Sequence, residues 1–189
     1  MQFLKYPIDP VKIYLGRMRA KQHCPPRVSM RKIGWSWAAS FLGISFIALV
    51  TSYFGTRSAL LIGSFGASAV LVYGAPLAEF SQPRNLVGGH VLSSFIGICM
   101  YKLLGFAPEM ACALAVSFSI ASMQFTRTMH PPGGATALTA VIGGDKIHSL
   151  GFGFMVIPVL MGAVVLLAVA LLMNNLSRNP KRHYPAYWY

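Results

Sequence analysis

The sequence predicts an all-α integral membrane protein, a helical bundle of two three-element repeats, each with one helix broken by glycine or proline. Three observations predict it. Hydrophobic residues make up 55% of the 189 residues and charged residues 11%, with a mean hydropathy of +0.57. That composition lies outside the range of ordinary soluble domains. The net charge of +12 is carried largely outside the apolar runs. Eight of the sixteen Lys and Arg (Lys5, Lys12, Arg17, Arg19, Lys21, Arg27, Arg31 and Lys32) precede Gly34, and Arg178, Lys181 and Arg182 follow the last run. Finally, two apolar runs in corresponding places are interrupted by glycine and proline, a pattern expected of transporters with a site near the membrane midplane.

Residues 1–33 read as a basic cytoplasmic tail interrupted by Pro7, Pro10, Pro25 and Pro26. Within it, 11–19 has the makings of a short amphipathic helix on an anionic lipid surface. The first span, 34–54, is long enough to cross a hydrocarbon core. Its ends carry Trp35 and Trp37, then Tyr53 and Phe54, as interfacial aromatic belts require. The second run, 58–76, holds the small residues Gly63, Ser64, Gly66, Ala67, Ser68 and Ala69, which suit close helix packing. A polar loop, 77–85, leads to a third span, 86–104, with His90 near its start. The run 110–125 is short for a full crossing, and 136–143 is shorter still. Asp145, Lys146 and His148 mark a solvated connection before the last long span, 151–173. Residues 174–189 form a second basic, aromatic and cytoplasmic tail.

The break between 126 and 138 organises the second half. Pro131 and Pro132 remove two backbone donors and disfavour helix in the residue before each. Gly133 and Gly134 free the backbone for close approach. The following Ala135-Thr136-Ala137-Leu138 reads as a first helical turn, whose leading amides lack intrahelical partners. In lipid such backbone is tolerable where protein buries it or where it lines a cavity. The string Gly66-Ala67-Ser68-Ala69-Val70 resembles Gly134-Ala135-Thr136-Ala137-Leu138, 68 residues later. At that offset Val91-Leu92 falls on Val159-Leu160, and Leu103-Leu104 on Leu171-Leu172. The halves, about 34–105 and 110–173, would each run long span, broken span, long span. Chance similarity between apolar segments gives the same short match. Six crossings with inverted halves are expected; four crossings with two re-entrant segments are the alternative. The first puts the loop carrying Gln82 and Arg84 on the side of both termini, the second on the other side.

Thr126-Arg127-Thr128-Met129-His130-Pro131-Pro132-Gly133-Gly134-Ala135-Thr136-Ala137 closely resembles the signature of the HPP family of integral membrane proteins. Gly63-Ser64-Phe65-Gly66-Ala67, Gln82-Pro83-Arg84-Asn85 with Gly88-Gly89-His90, Pro158-Val159 and Tyr184-Pro185-Ala186-Tyr187-Trp188 resemble its other blocks. The likeness covers roughly residues 35–188. Around Leu77-Ala78-Glu79-Phe80-Ser81 it is weaker, so Glu79 inherits no role. The resemblance implies an inorganic-anion transporter, with nitrite favoured because some members are linked to nitrite movement. It says nothing about how the residues here would do so.

Arg127 is the foremost candidate, because an arginine between an apolar run and a broken helix is costly unless it meets water, a partner or a ligand. Its planar fork suits small oxyanions; a cytoplasmic-end arginine snorkelling to headgroups is the plainer reading. His130 could donate to an anion, titrate, or cap freed carbonyls. His90 and Arg84 are weaker candidates of the same kind, with Arg84 equally suited to anchoring its loop. Gly63, Ser64 and Gly66, with Gly133, Gly134 and Thr136, would offer backbone donors from two helix starts. No metal is expected, because no carboxylate or thiolate completes a zinc site with His90 and His130. No cofactor is expected either. Cys24, Cys99 and Cys112 lack ligand spacing. Asp9, Glu79, Glu109 and Asp145 are the four acids, none within a long span, and Ser64 has no base at an evident spacing. An enzyme is not expected, nor a nucleic-acid partner, since no aromatic-interleaved basic face accompanies the charge. The partners expected are a small inorganic anion and the lipid bilayer of a bacterial-type inner (plasma) membrane, with homo-oligomerisation open. A passive anion channel, or a scaffold recruiting a partner through its tails, are the competing functions.

Overall fold

The computed structural model describes residues 10–20, 22–53, 62–177 and 182–189, and all regular structure among them is helical. α1 (Pro10–Arg17) is the short helix expected near the N-terminus, its described side chains exposed. α2 (Met30–Tyr53) is the first span, starting four residues before the expected position. Phe54 and 58–61, at the edges of the first two expected runs, lie outside the described residues.

α3 (Gly63–Ala69) continues into wider, π-type turns over Val70–Gly74. A 3-10 turn (Glu79–Ser81) precedes α4 (Pro83–Leu104), and α5 (Pro108–Thr126) follows, longer than the apolar run 110–125 suggested. α6 (Pro131–Ile142) begins at the double proline, four residues earlier than expected. Proline is well placed there, because its fixed φ suits a first helical turn whose amide would have no partner anyway. α7 (Asp145–His148) leads to a helical stretch, Met155–Leu160, that passes into α8 (Met161–Leu176). The last expected span is therefore interrupted too: Ile157 is extended, at φ −126° and ψ 114°, before Pro158.

Among the described residues, three helices are long and apolar enough to cross a membrane: Met30–Val50, Pro83–Leu104 and Met155–Leu176. By contrast Gly63–Gly74 and α6, 12 residues in the latter case, are each about 18 Å long at 1.5 Å per residue. A bilayer core is about 30 Å thick, so neither crosses it as helix alone. Long, short, long is thus the element order on both sides of the 105–107 turn. The first residues of the two short helices, Gly63 and Pro131, are separated by the same 68 residues as the sequence match.

The short helices are held by close backbone packing. A Cβ on Gly97 would lie 2.6 Å from the Ala137 carbonyl, and one on Gly133 2.9 Å from that of Gly89, so α4 and α6 approach where both lack side chains. Phe65 and Tyr73 fill notches at Gly162 of α8 and Gly43 of α2. The carbonyls freed where Val70–Gly74 ends are also met. Val72 accepts from Asn174 Nδ2 (3.0 Å), and Tyr73 from Ser36 Oγ and Arg182 Nη2 (both 2.9 Å). A helix end buried in an apolar bundle requires such partners.

The C-terminal segment, basic and aromatic in sequence, packs back onto the bundle. Tyr184 is 2% and Arg182 4% exposed. Tyr184 exchanges two hydrogen bonds with Asn175, its hydroxyl donates to the Ser81 carbonyl (2.7 Å), and the Ala186 amide donates to Gln82 Oε1 (2.8 Å). Arg31, Lys32, residues 75–78, Ser177 and Arg182 surround one cavity. The start of α2, the C-terminal segment and the loop before α4 therefore share one end of the bundle. α4 leads away from it over about 33 Å, and α5 returns, because Arg84 at the start of α4 donates to the Thr126 carbonyl (2.6 Å). With the native cysteines removed, Leu77→Cys should react with an impermeant reagent from the same membrane side as a cysteine at either tail. Phe106→Cys should react from the opposite side. Labelling of Leu77→Cys from the side of Phe106→Cys would refute this arrangement.

Candidate functional site

Five buried polar residues converge where α3, α4 and α6 meet. Ser64 and Ser68 lie one turn apart on α3, His90 stands two turns into α4, and His130 and Thr136 bracket the first turns of α6. All five are at most 2% exposed. His90 Nε2 lies 2.7 Å and His130 Nε2 2.8 Å from the same atom, Ser68 Oγ. His90 Nδ1 meets Thr136 Oγ1 at 2.7 Å, and Thr136 Oγ1 meets Ser64 Oγ at 2.8 Å. The rings stand edge to face with centroids 4.9 Å apart, and the edge of Phe65 closes the group.

Proton positions follow from what each atom can do. His130 Nδ1 is 2.7 Å from the Phe80 carbonyl, which can only accept, so Nδ1 carries the hydrogen. In a neutral ring Nε2 then accepts, from the Ser68 hydroxyl. Ser68 Oγ in turn accepts from His90 Nε2–H, which leaves His90 Nδ1 to accept from the Thr136 hydroxyl, a hydrogen that Thr136 otherwise directs to Ser64 Oγ. One directed chain results: Thr136 to His90 to Ser68 to His130 to the Phe80 carbonyl. Ser68 Oγ also lies 3.1 Å from the Ser64 carbonyl. A proton added to His130 Nε2 would turn that bond around, and the Ser68 hydroxyl would swing to the Ser64 carbonyl. Both imidazoles would then donate to a single oxygen. Two charged rings at this separation in apolar surroundings would repel.

The sequence candidates fall into three sets. His90, His130, Ser64 and Thr136 meet in this cluster. Gly133 is buried against α4, and its amide donates to the His130 carbonyl (2.8 Å). Since Pro131 and Pro132 have no amide hydrogen, the start of α6 offers an anion fewer donors than expected. Gly63 and Gly66 face open space, and Gly134 meets Val116 at ordinary contact distance, so none of the three is there to permit tight packing. Arg84 takes the anchoring role, its guanidinium capping the C-terminal end of α5. Arg127 stands apart. It ends α5 in the left-handed conformation (φ 57°, ψ 37°), is exposed, and its side chain has no partner among the described residues.

Ser68 is the member that sequence reading missed, taken there for a packing residue. The signal was present, because the 68-residue offset that pairs Gly66 with Gly134 also pairs Ser68 with Thr136.

The family model described as "HPP, transmembrane region" matches residues 25–185. Two transmembrane proteins of Dictyostelium discoideum are similar to this chain. One is 45% identical over 189 residues, covering 97% of this chain and 65% of its own. The other is 42% identical over 182 residues, covering 93% and 57%. The chain thus spans less than two thirds of the length of either relative. No solved structure matches.

Glycine and serine variants separate packing from hydrogen bonding here. Gly133→Ala drives a methyl against backbone and should prevent folding or strongly lower the melting temperature in detergent. Gly66→Ala meets nothing and should be neutral or gain about 0.5–1 kcal/mol from helix propensity. Ser68→Ala strands a buried imidazole nitrogen and should cost about 1–3 kcal/mol. Equal melting temperatures for Gly133→Ala and Gly66→Ala would contradict the close approach of α4 and α6.

Proposed function

The chain belongs to the HPP transmembrane family, and from that premise we propose that it is a transporter of a small inorganic anion, carried together with one proton. Nitrite is the favoured substrate on the family resemblance. The observation that carries the reading is the convergence of His90 Nε2 and His130 Nε2 on one oxygen atom. A proton on His130 makes both nitrogens donors, and an oxyanion oxygen replacing Ser68 Oγ would accept from both. Hydrogen bonds to charged donors are the stronger kind, and the imidazolium supplies the charge that desolvating an anion requires. One proton and one monoanion moving together leave no net charge to cross the bilayer.

The mechanism uses the short helices. His90 and His130 have no exposure in this conformation, which favours alternating access over a standing open pore. α3 and α6 each contribute one hydroxyl to the imidazoles, Ser68 and Thr136, so their separation would open the cluster and break two bonds to the rings. Arg127, exposed at the turn before α6, would gather anions toward that opening. We place the protein in the plasma (inner) membrane with six crossings and cytoplasmic ends, in keeping with the basic residues before α2.

Purified protein in liposomes should take up nitrite, measured across a panel of anions, faster with an inward proton gradient than without and regardless of membrane potential. His130→Gln and His90→Gln should each lower this gradient-driven uptake per folded molecule about tenfold or more, the loss of one bond to an ion. Arg127→Lys should keep part of the rate and Arg127→Ala less. Uptake no greater than in protein-free liposomes for every anion would overturn the function. Uptake indifferent to the proton gradient would overturn the coupling, and wild-type rates in both Arg127 variants would remove that residue.

A further inference from the structure

The cavity between the start of α2, residues 75–78 and the C-terminal segment is basic and holds a buried charge with no counter-ion. It has a volume of about 390 Å³, and Arg31, Lys32, Arg182, Ser29, Ser177 and Trp35 are among its lining residues. Arg182 is 4% exposed. Its guanidinium donates to the Tyr73 carbonyl (2.9 Å) and reaches Ser36 Oγ at 3.5 Å, while its buried Nε has no partner. No carboxylate pairs with it among the described residues, nor with Arg31 or Lys32, both exposed. Burial draws the Arg182 guanidinium below its ordinary value, yet a guanidinium does not give up its proton in proteins. A buried charge left unpaired is costly, and two further cations beside it raise the demand for an anion.

We infer that this cavity binds a phosphate group, with Arg182 as its buried floor and Arg31 and Lys32 as its rim. Basic pockets between helix ends at the membrane surface suit phospholipid headgroups, and the size lies in the range of small-ligand pockets. Trp35 adds an indole of the kind that settles at headgroup level. A free phosphate presents the same chemistry, and so the two sources are tested side by side. The bound group would tie the N-terminal end of α2 to the C-terminal segment through charge, where the chain itself supplies hydrogen bonds alone. This site is distinct from the histidine cluster and does not depend on the transport reading.

The test uses the full chain, purified in a neutral detergent, with native mass spectrometry and melting temperature as readouts. Short-chain phosphatidylglycerol, short-chain phosphatidylcholine, inorganic phosphate, and chloride at matched ionic strength are the four additions. Preferential binding of phosphatidylglycerol would identify the lipid source; phosphate binding above chloride, without lipid preference, would identify the free one. In either case the doubly substituted Arg31→Gln/Lys32→Gln chain should bind about tenfold or more weakly. Both residues are exposed, so this variant keeps its fold even if Arg182→Gln does not. Arg17→Gln/Arg19→Gln, which removes charges outside the cavity, and His130→Gln should bind as wild type. Equal binding of the two lipids with no effect of phosphate over chloride would overturn the proposal. So would an equal loss of binding in the Arg17→Gln/Arg19→Gln control.

Discussion

The Ser68 hydroxyl, shared between two imidazoles in a volume closed to solvent, is the interaction on which the rest depends. In a bilayer no water repairs an unmet donor, so the cost of leaving one buried falls on the fold itself. Ser68 has one hydrogen and two lone pairs, and its neighbours claim them. To hold that geometry α3 must keep its register against α4 and α6, and the close contacts of Gly89, Gly97 and Gly133 set the distance at which it can. The aromatic rings of Phe65 and Tyr73, seated at Gly162 and Gly43, fix the other side of α3. Polar convergence and glycine packing are two aspects of one constraint.

A second constraint comes from helix ends. Each short helix has one end buried within the bundle, at Val72 and Tyr73 in one and at His130 in the other. α6 meets this at its start through composition, because Pro131 and Pro132 have no amide hydrogen to satisfy and the Gly133 amide turns back to His130. Gly63–Gly74 meets it at its finish through distant side chains: Ser36, Asn174 and Arg182 collect the carbonyls of Val72 and Tyr73. The two solutions explain why the sequence signal at α6 is local and strong, while that at Val72 and Tyr73 is dispersed over more than a hundred residues.

That difference also sets what could be read from the chain beforehand. The all-helical membrane class, the order of long and broken segments and four of the five cluster residues were legible, since composition, interruptions and lone histidines in apolar runs are local features. Ser68 escaped because a serine among glycines and alanines looks like packing, and its partners lie 22 and 62 residues away. The docking of the tail was not legible for a similar reason. Lys and Arg after a span suggest a solvated end, and nothing near Arg182 in sequence announces that its partners are Tyr73 and Ser36. Arg127 drew notice as a cation beside a break, yet its clearest structural property is a left-handed backbone, where glycine would serve more comfortably.

The return of the C-terminal segment onto the loop before α4 has a consequence for how the protein is made. Tyr184 reaches the Ser81 carbonyl, 103 positions earlier, and Arg182 reaches Tyr73, 109 positions earlier. During synthesis the ribosome emits the first half long before either residue exists. α3 and its carbonyls must therefore wait, inserted but incomplete, for more than half the chain to be translated. Contacts of such long range close late, and an N-terminal half halted before residue 182 would be a ward of the insertion machinery and its quality control.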